Sequence, residues 1–441
     1  MPAPSFDEIK PPLLRDEALT EANRCLFCYD APCMRACPTH IDVPGFIKKI
    51  ATGNLRGSAR TILESNILGA SCARVCPTEE LCEGACVLND LHHKAIEIGR
   101  LQRFATDPVV FGAPEARPAF FTPGPSNGLK VALIGGGPAS LACAAELGRR
   151  GYQAVVFEAQ ALPGGLNTYG VADYKIAHET ALREVEWVRQ CGVDIRCNTA
   201  VGRDVTVESL LADYDAVFIG VGLGGVPPLG LPGETLPGVR DVLDFISELK
   251  TRPKAEVSLA GKSVAVIGGG NTAIDGVTQS VRLGAEKVYL VYRRSRDDMP
   301  AYEHEIELAR KDGVDLVLNA LPQAVEGTTA VTGLRCVRTR QGAPGADGRR
   351  AFETIEGSAF TLPVDLILRA SGQEKRKAFL STIPGVQLDA AGRVIVDADG
   401  RTGNPKVYSA GDCVSGGQEV VNAVAGGKKA ALAIDERAKG N

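Results

Sequence analysis

The sequence predicts an α/β fold with an all-α domain ahead of it, and three observations predict this. Eight of the 13 cysteines lie between Cys25 and Cys86, among helical patterns. From Lys130 onward the texture changes to short apolar strands, glycine turns and helices. A strand running into a glycine turn occurs twice, as KVALIGGG at Lys130–Gly137 and KSVAVIGGG at Lys262–Gly270. At roughly 150 residues per domain, a chain of 441 residues has room for about three domains.

Taken in order, residues 1–110 form the helical cysteine domain, with helices expected over Val43–Ile50 and Leu55–Leu63. Residues 111–129 contain four prolines and read as a linker. Residues 130–226 form the first part of one Rossmann-like dinucleotide-binding domain, and residues 227–371 a second such domain inserted into it. Residues 372–441 return to the first, with a further strand in Lys406–Asp412.

The first turn, Gly135-Gly136-Gly137-Pro138-Ala139-Ser140, follows the strand VALI directly. Gly135 permits the tight turn, Gly137 lets the backbone approach a pyrophosphate, and Ser140 keeps the helix close to the strand. An acid about 20 residues on binds the ribose hydroxyls, and Glu158 at the end of AVVFE fills that role. The second turn is Gly268-Gly269-Gly270-Asn271-Thr272-Ala273. No acid ends its second strand; Arg293 and Arg294 stand there, with Arg296 just beyond. An acid repels a 2′-phosphate whereas guanidinium groups bind it bidentately. One turn with an acid and one with arginines suggests FAD together with NADPH. Gly411-Asp412 follows the C-terminal strand and precedes a helix starting near Glu419; on that layout Asp412 lies by the flavin, the plainer reading being a helix cap.

The cysteines run Cys25-x2-Cys28-x4-Cys33-x3-Cys37-Pro38 and Cys72-x3-Cys76-Pro77-x4-Cys82-x3-Cys86. Close pairs place thiolates around one centre, and Cys-Pro endings are found in iron–sulfur runs. Zinc is the competing occupant. Zinc has no redox use, whereas a flavin collects two electrons from hydride and a cluster carries one, so clusters suit a neighbouring flavin unit. Cys143, Cys191, Cys197, Cys336 and Cys413 read as small core residues. A flavin disulfide reductase needs a redox-active pair, and no C-x2-C or C-x4-C pair follows Cys86.

A net charge of −4 gives no general attraction to nucleic acid. Met1–Lys10 lacks a signal-peptide pattern and no run of 18 apolar residues occurs, so no membrane span and a cytoplasmic location are expected.

These residues resemble the NADPH-oxidising half of dihydropyrimidine dehydrogenase and the bacterial subunit equivalent to it. The most specific stretches are RCLFCYDAPCMRACPTHIDVPGFI, NILGASCARVCPTEELCEGAC, IGRLQRFATD, IGGGPASLACA and SAGD. Glutamate synthase small subunits share the architecture and much of the cysteine pattern. The resemblance implies two 4Fe–4S clusters, one on Cys25, Cys28, Cys33 and Cys86, the other on Cys37, Cys76, Cys82 and the side-chain oxygen of Gln102, with Cys72 a spare thiol. Gln102 favours the pyrimidine family over glutamate synthase. The resemblance further places Pro138, Ala139, Ser140, Leu141, Glu158, Leu166, Asp412 and, where the family has arginine, Lys175 on FAD. It places Gly270, Asn271, Thr272, Arg293 and Arg294 on NADPH, with Ala370, Ser371 and Gly372 closing that site. The loop Arg296–Pro300 differs in length and lacks a match for one family arginine on the 2′-phosphate, which leaves NADH open as donor. The family's FMN barrel has no counterpart in these residues. The resemblance therefore implies an FMN-containing, pyrimidine-reducing partner subunit with further iron–sulfur clusters, in a heterotetramer. The alternative is a glutamate synthase small subunit.

Overall fold

The computed structural model describes residues 5–113, 120–344 and 350–440; part of the expected linker, 114–119, lies outside them. Among the described residues before Lys130 there are helices and no strands: α1 (Arg15–Asn23), α2 (Pro32–Arg35), α3 (Val43–Ala51), α4 (Leu55–Ser65), α5 (Gly69–Val75) and α6 (Ile98–Val110). Local chemistry starts two of them. The Asp42 carboxylate accepts from Gly45 N–H at 2.9 Å, and Asn54 does the same for Gly57 at 2.9 Å, each satisfying a donor that a helix start leaves unpaired. Phe46, Ile47, Ile50, Ile62 and Leu101 then bury one core together with Cys37, Cys72 and Cys76.

From Lys130 strands and helices alternate: β1 (Lys130–Ile134), α7 (Pro138–Arg149), β2 (Gln153–Phe157), α8 (His178–Arg189), β3 (Asp194–Arg196) and β4 (Ala216–Ile219). There follow β5 (Val239–Asp241), β6 (Ser263–Ile267), α9 (Asn271–Arg282), β7 (Lys287–Val291) and β8 (Asp315–Val317). Next come β9 (Ala320–Gly327), β10 (Val331–Pro344), β11 (Arg350–Thr354), β12 (Phe360–Pro363) and β13 (Leu366–Arg369), and the chain ends in β14 (Val407–Ser409) and α10 (Val420–Lys439).

Two sheets are wholly parallel, in the orders β14-β4-β1-β2-β3 and β5-β13-β6-β7-β8. Their central strands are unbroken apolar runs, Val131–Ile134 and Val264–Ile267, buried on both faces as parallel strands covered by helices must be. β14 joins the first sheet only after the chain has built the second, so the fold is two nested Rossmann-like domains behind an all-α one. Strands β9–β12 form an additional antiparallel sheet that the sequence reading did not anticipate.

The chain divides into two compact units. One takes Glu8–Thr168, Lys175–Leu223 and the return from Lys375, so the cysteine helices and the first parallel sheet lie together. Ala59, Leu63 and Val110 of the helical domain share a core with Val131, Leu141 and Ala431. The other unit takes Gly224–Glu374, Tyr169–Tyr174 and the segment ending at Asp7.

Candidate functional site

In the first unit the C-terminal ends of β1, β4 and β14 are level, because Ile134 pairs with Ile219 and Ile219 with Ser409. The loops that leave them share one sheet edge, at the point where strand order reverses and open parallel sheets bind ligands. Gly135 has φ of +92°, and a side chain there would meet Gly220 O at 2.6 Å, so only glycine serves. Gly137 caps α7 and is open: the nearest atom to a Cβ placed there is Gly165 Cα, 3.9 Å away. Pro138 occupies the first turn of α7, where its missing N–H costs nothing. Ala139 abuts Gly411 and Gly427, and a Cβ on Gly427 would overlap its carbonyl. Ser140 is buried against Gly220, and its hydroxyl has no hydrogen-bond partner.

The Glu158 carboxylate accepts from Gly136 N–H at 2.6 Å and Gln160 N–H at 2.7 Å, which holds it against the turn. Leu166 begins a short helix beside Gly165 and is 37% exposed. Gly411, with φ of +80°, turns the chain into a short helix headed by Asp412. The Asp412 carboxylate accepts from Gln418 N–H at 3.0 Å, and burial pushes its pKa up. Two further expected residues are buried. Leu141 has its side chain in the core and its N–H on Gly137 O at 3.0 Å, and Lys175 is buried with interactions of its own.

In the second unit, β6 leads into Gly268, where a side chain would overlap Ala370 O, so Ala370 abuts this turn. Ser371 is exposed, and Gly372 has φ of +106°. Gly270 caps α9 and is open, Pro300 Cγ lying 3.9 Å from a Cβ placed there. The Asn271 side-chain oxygen accepts from Tyr302 N–H at 3.0 Å, which ties the following loop to the start of α9, next to Thr272. Where the first turn has its acid, this one has Tyr292 against Gly269, then Arg293 and Arg294 with guanidinium carbons 5.1 and 5.9 Å from the Phe352 ring centre. Arg296 is committed elsewhere, pairing with Glu303 at 2.6 Å.

The cysteines fall into two groups. Cys25, Cys28, Cys33 and Cys86 line one pocket whose remaining walls are apolar, among them Val43, Ile47 and Leu88. Burial pushes the Cys33 thiol up to about 12, with Cys25 and Cys86 adding to the rise, and burial likewise raises Cys25. The deeper group surrounds Cys76, whose pKa is raised by a hydrogen bond with Cys72, by burial, and by Cys82 and Cys37. Crowded buried thiols of this kind ionise only when a cation shares their site. An iron–sulfide cube needs converging thiols, and the first group brings four to the wall of one apolar pocket. Among the described residues, no three His, Cys, Asp or Glu side chains are disposed to hold a single metal ion. Gln102, 7% exposed on α6, donates from Nε2 to Gly69 O at 2.7 Å. That anchors the amide at the start of α5, the helix that carries Cys72 and ends at Cys76, and leaves Oε1 as its acceptor atom. Cys143, Cys191, Cys336 and Cys413 are buried, and Cys197 is half-buried.

Sequence reasoning missed two residues at this site. Glu184 of α8, 1% exposed, accepts from Ala70 N–H at 2.8 Å, from Ser71 N–H at 3.1 Å and from Ser71 Oγ, bracing α5 against the first α/β domain. Lys10 reaches Cys76 O at 2.8 Å. Both contacts join residues far apart in sequence, and no local pattern marks either.

Residues 3–111 match the family described as dihydropyrimidine dehydrogenase domain II, 4Fe-4S cluster, and residues 129–427 the one described as pyridine nucleotide-disulphide oxidoreductase. The chain is 39% identical to the glutamate synthase [NADPH] small chain of Escherichia coli, over 97% of this chain and 93% of that one. It is 35% identical to the NAD-dependent dihydropyrimidine dehydrogenase subunit PreT of Escherichia coli, over 100% of this chain and 99% of that one. Among solved structures it is similar in fold to Mycobacterium tuberculosis FprA in complex with NADPH, with a TM-score of 0.58 and 21% identity over 71% of this chain and 85% of that one. No helix of the described residues is long and apolar enough to cross a membrane.

Proposed function

The chain belongs to the pyridine nucleotide-disulphide oxidoreductase family, among members with a 4Fe–4S domain ahead of the nucleotide-binding domains, and on that premise we propose that it is the electron-input subunit of a dihydropyrimidine dehydrogenase. In this reading it oxidises NADPH and delivers single electrons to an FMN-containing partner, with further clusters, which reduces uracil or thymine to the 5,6-dihydro product in a heterotetramer. One observation carries the redox part: four cysteines around an apolar cavity belong to the same compact unit as an open, acid-backed glycine turn. FAD and two 4Fe–4S clusters, when bound, supply the conversion of a hydride into single electrons.

The chain's own residues do the holding. Gly137 and the unpaired N–H groups that begin α7 receive a pyrophosphate, and Glu158 receives ribose hydroxyls. Asp412, at the same sheet edge, faces the flavin side of that ligand. Gly270, Asn271 and Thr272 receive the second dinucleotide, and Arg293 and Arg294 its 2′-phosphate. Cys25, Cys28, Cys33 and Cys86 ligate one cluster, and Cys37, Cys76, Cys82 and Gln102 the other. The apolar walls around the first group exclude water from the iron.

Gln102 supports the pyrimidine partner: its amide is buried and anchored at the start of α5, the helix that carries Cys72. The higher identity to a glutamate synthase small chain supports a second reading, in which the partner forms glutamate. Reconstituted chain is expected to oxidise NADPH with an artificial acceptor and to leave uracil untouched until an FMN-containing partner is added. Uracil reduction by the isolated chain refutes the division of labour. Co-purification with a glutamate-forming subunit selects the second reading.

A further inference from the structure

The N-terminal segment Glu8–Pro11 is fastened beside Cys76. The Glu8 carboxylate is gripped by Arg74 at 3.2 Å and Arg103 at 2.6 Å, both buried arginines. Arg103 also donates to Lys10 O, and Arg100 donates to Pro11 O at 3.0 Å. So held, Lys10 turns its side chain inward. Its ammonium, on a side chain only 17% exposed, donates to Cys76 O at 2.8 Å and to Thr78 Oγ1 at 3.0 Å. Two carboxylates stand nearby. Glu79 lies 3.7 Å from Lys10 Nζ, and half-buried Glu83, which follows Cys82, accepts from Gly99 N–H at 2.9 Å and feels the Lys10 charge. No step described above uses this lysine.

We propose that Lys10 is a positioning residue of the deeper centre, a fixed cation fastened to the backbone of the ligand Cys76 that raises the reduction potential of the cluster held there. The inference rests on the reading that Cys37, Cys76, Cys82 and Gln102 bind a 4Fe–4S cluster. Reduction adds one electron, supplied by flavin reduced at the expense of NADPH. No bond forms or breaks, and the cluster becomes more negative by one charge. In a poorly solvated site that added charge is stabilised by a nearby cation and opposed by nearby carboxylates. Lys10 offsets Glu79 and Glu83, and its two hydrogen bonds fix the distance at which it acts.

The test is a titration of anaerobically prepared full-length chain with a low-potential chemical reductant, followed by the EPR signals of the two clusters. Lys10→Met keeps the length and removes the charge. It is expected to shift the midpoint of one signal to more negative potential and leave the other in place. The signal that moves is the one abolished by Cys76→Ala. Lys10→Arg is expected to restore the wild-type midpoint. Glu79→Gln, at an exposed position, is expected to move the same signal the opposite way, and it decides the matter should Lys10→Met fail to assemble the cluster. Clusters present with midpoints unmoved in both Lys10→Met and Glu79→Gln, or both signals moving equally, overturn the inference alone. Wild-type chain without iron and sulfide overturns the reading beneath it.

Discussion

Two N–H donors and a hydroxyl converge on the carboxyl of Glu184, yet burial outweighs them and pushes its pKa from 4.5 up to about 7. The folded chain therefore holds a proton here, between about 4.5 and 7, that the unfolded chain has released. That contribution to stability is complete below the window and is lost as pH rises through the folded value. Glu184→Gln, uncharged throughout, is expected to lose less melting temperature across the window than wild type; equal losses would show that Glu184 is not the group responsible. At the second glycine turn, Tyr292 stands where Glu158 stands in the first, and Arg293 and Arg294 follow it. Charge-assisted hydrogen bonds contribute about 1.5–3 kcal/mol, and about 1.4 kcal/mol is tenfold. Replacing either arginine by alanine is thus expected to raise KM for NADPH roughly 10–100-fold and leave KM for NADH unchanged. Parallel increases for both dinucleotides would assign the arginines to the shared part of the ligand.

The elements sort the cysteines by depth. Cys33 sits in α2, Cys25 and Cys28 in the loop before it and Cys86 in the loop after α5, and the four line a cavity, whereas Cys76 ends α5 inside the core. Single replacements are expected to separate the groups: Cys33→Ala abolishes one cluster signal, Cys76→Ala abolishes the other, and Cys72→Ala neither, as read by EPR with iron and sulfide counts. Loss of both signals from either replacement would mean a single coupled centre. Much of this scale was legible in the sequence because its signals are local. Glycine turns follow their strands directly, Glu158 ends the next strand, and cysteine spacings of a few residues bind ligands to one neighbourhood. What escaped is non-local or two-sided. The fingerprint places Leu141 in the first turn of α7 but does not say that this face is covered by core. In the antiparallel sheet β9–β12, register shifts on β10 at Val331/Gly333 and Arg335/Cys336 break the alternation that marks a strand. Glu184 meets Ser71 across 113 positions, and Lys10 meets Cys76 across 66.

At the scale of the whole molecule, nesting lets one unit hold both the first glycine turn and the cysteine helices. β14 must return to the first sheet to complete the edge where Asp412 sits, and α10 follows after the short helix that Asp412 heads. Val421, in the first turn of α10, is buried in the same core as Cys37, Cys72 and Cys76, so the element after the Asp412 loop reaches the deeper thiols without leaving the unit. The account places its one-electron carriers in that core, and everything said about partners, potentials and arginines depends on iron and sulfide being there. The most direct test is metal and acid-labile sulfide analysis of chain purified without air. The account predicts iron and sulfide in equal amounts, enough for two 4Fe–4S clusters per FAD; zinc with no inorganic sulfide would contradict it.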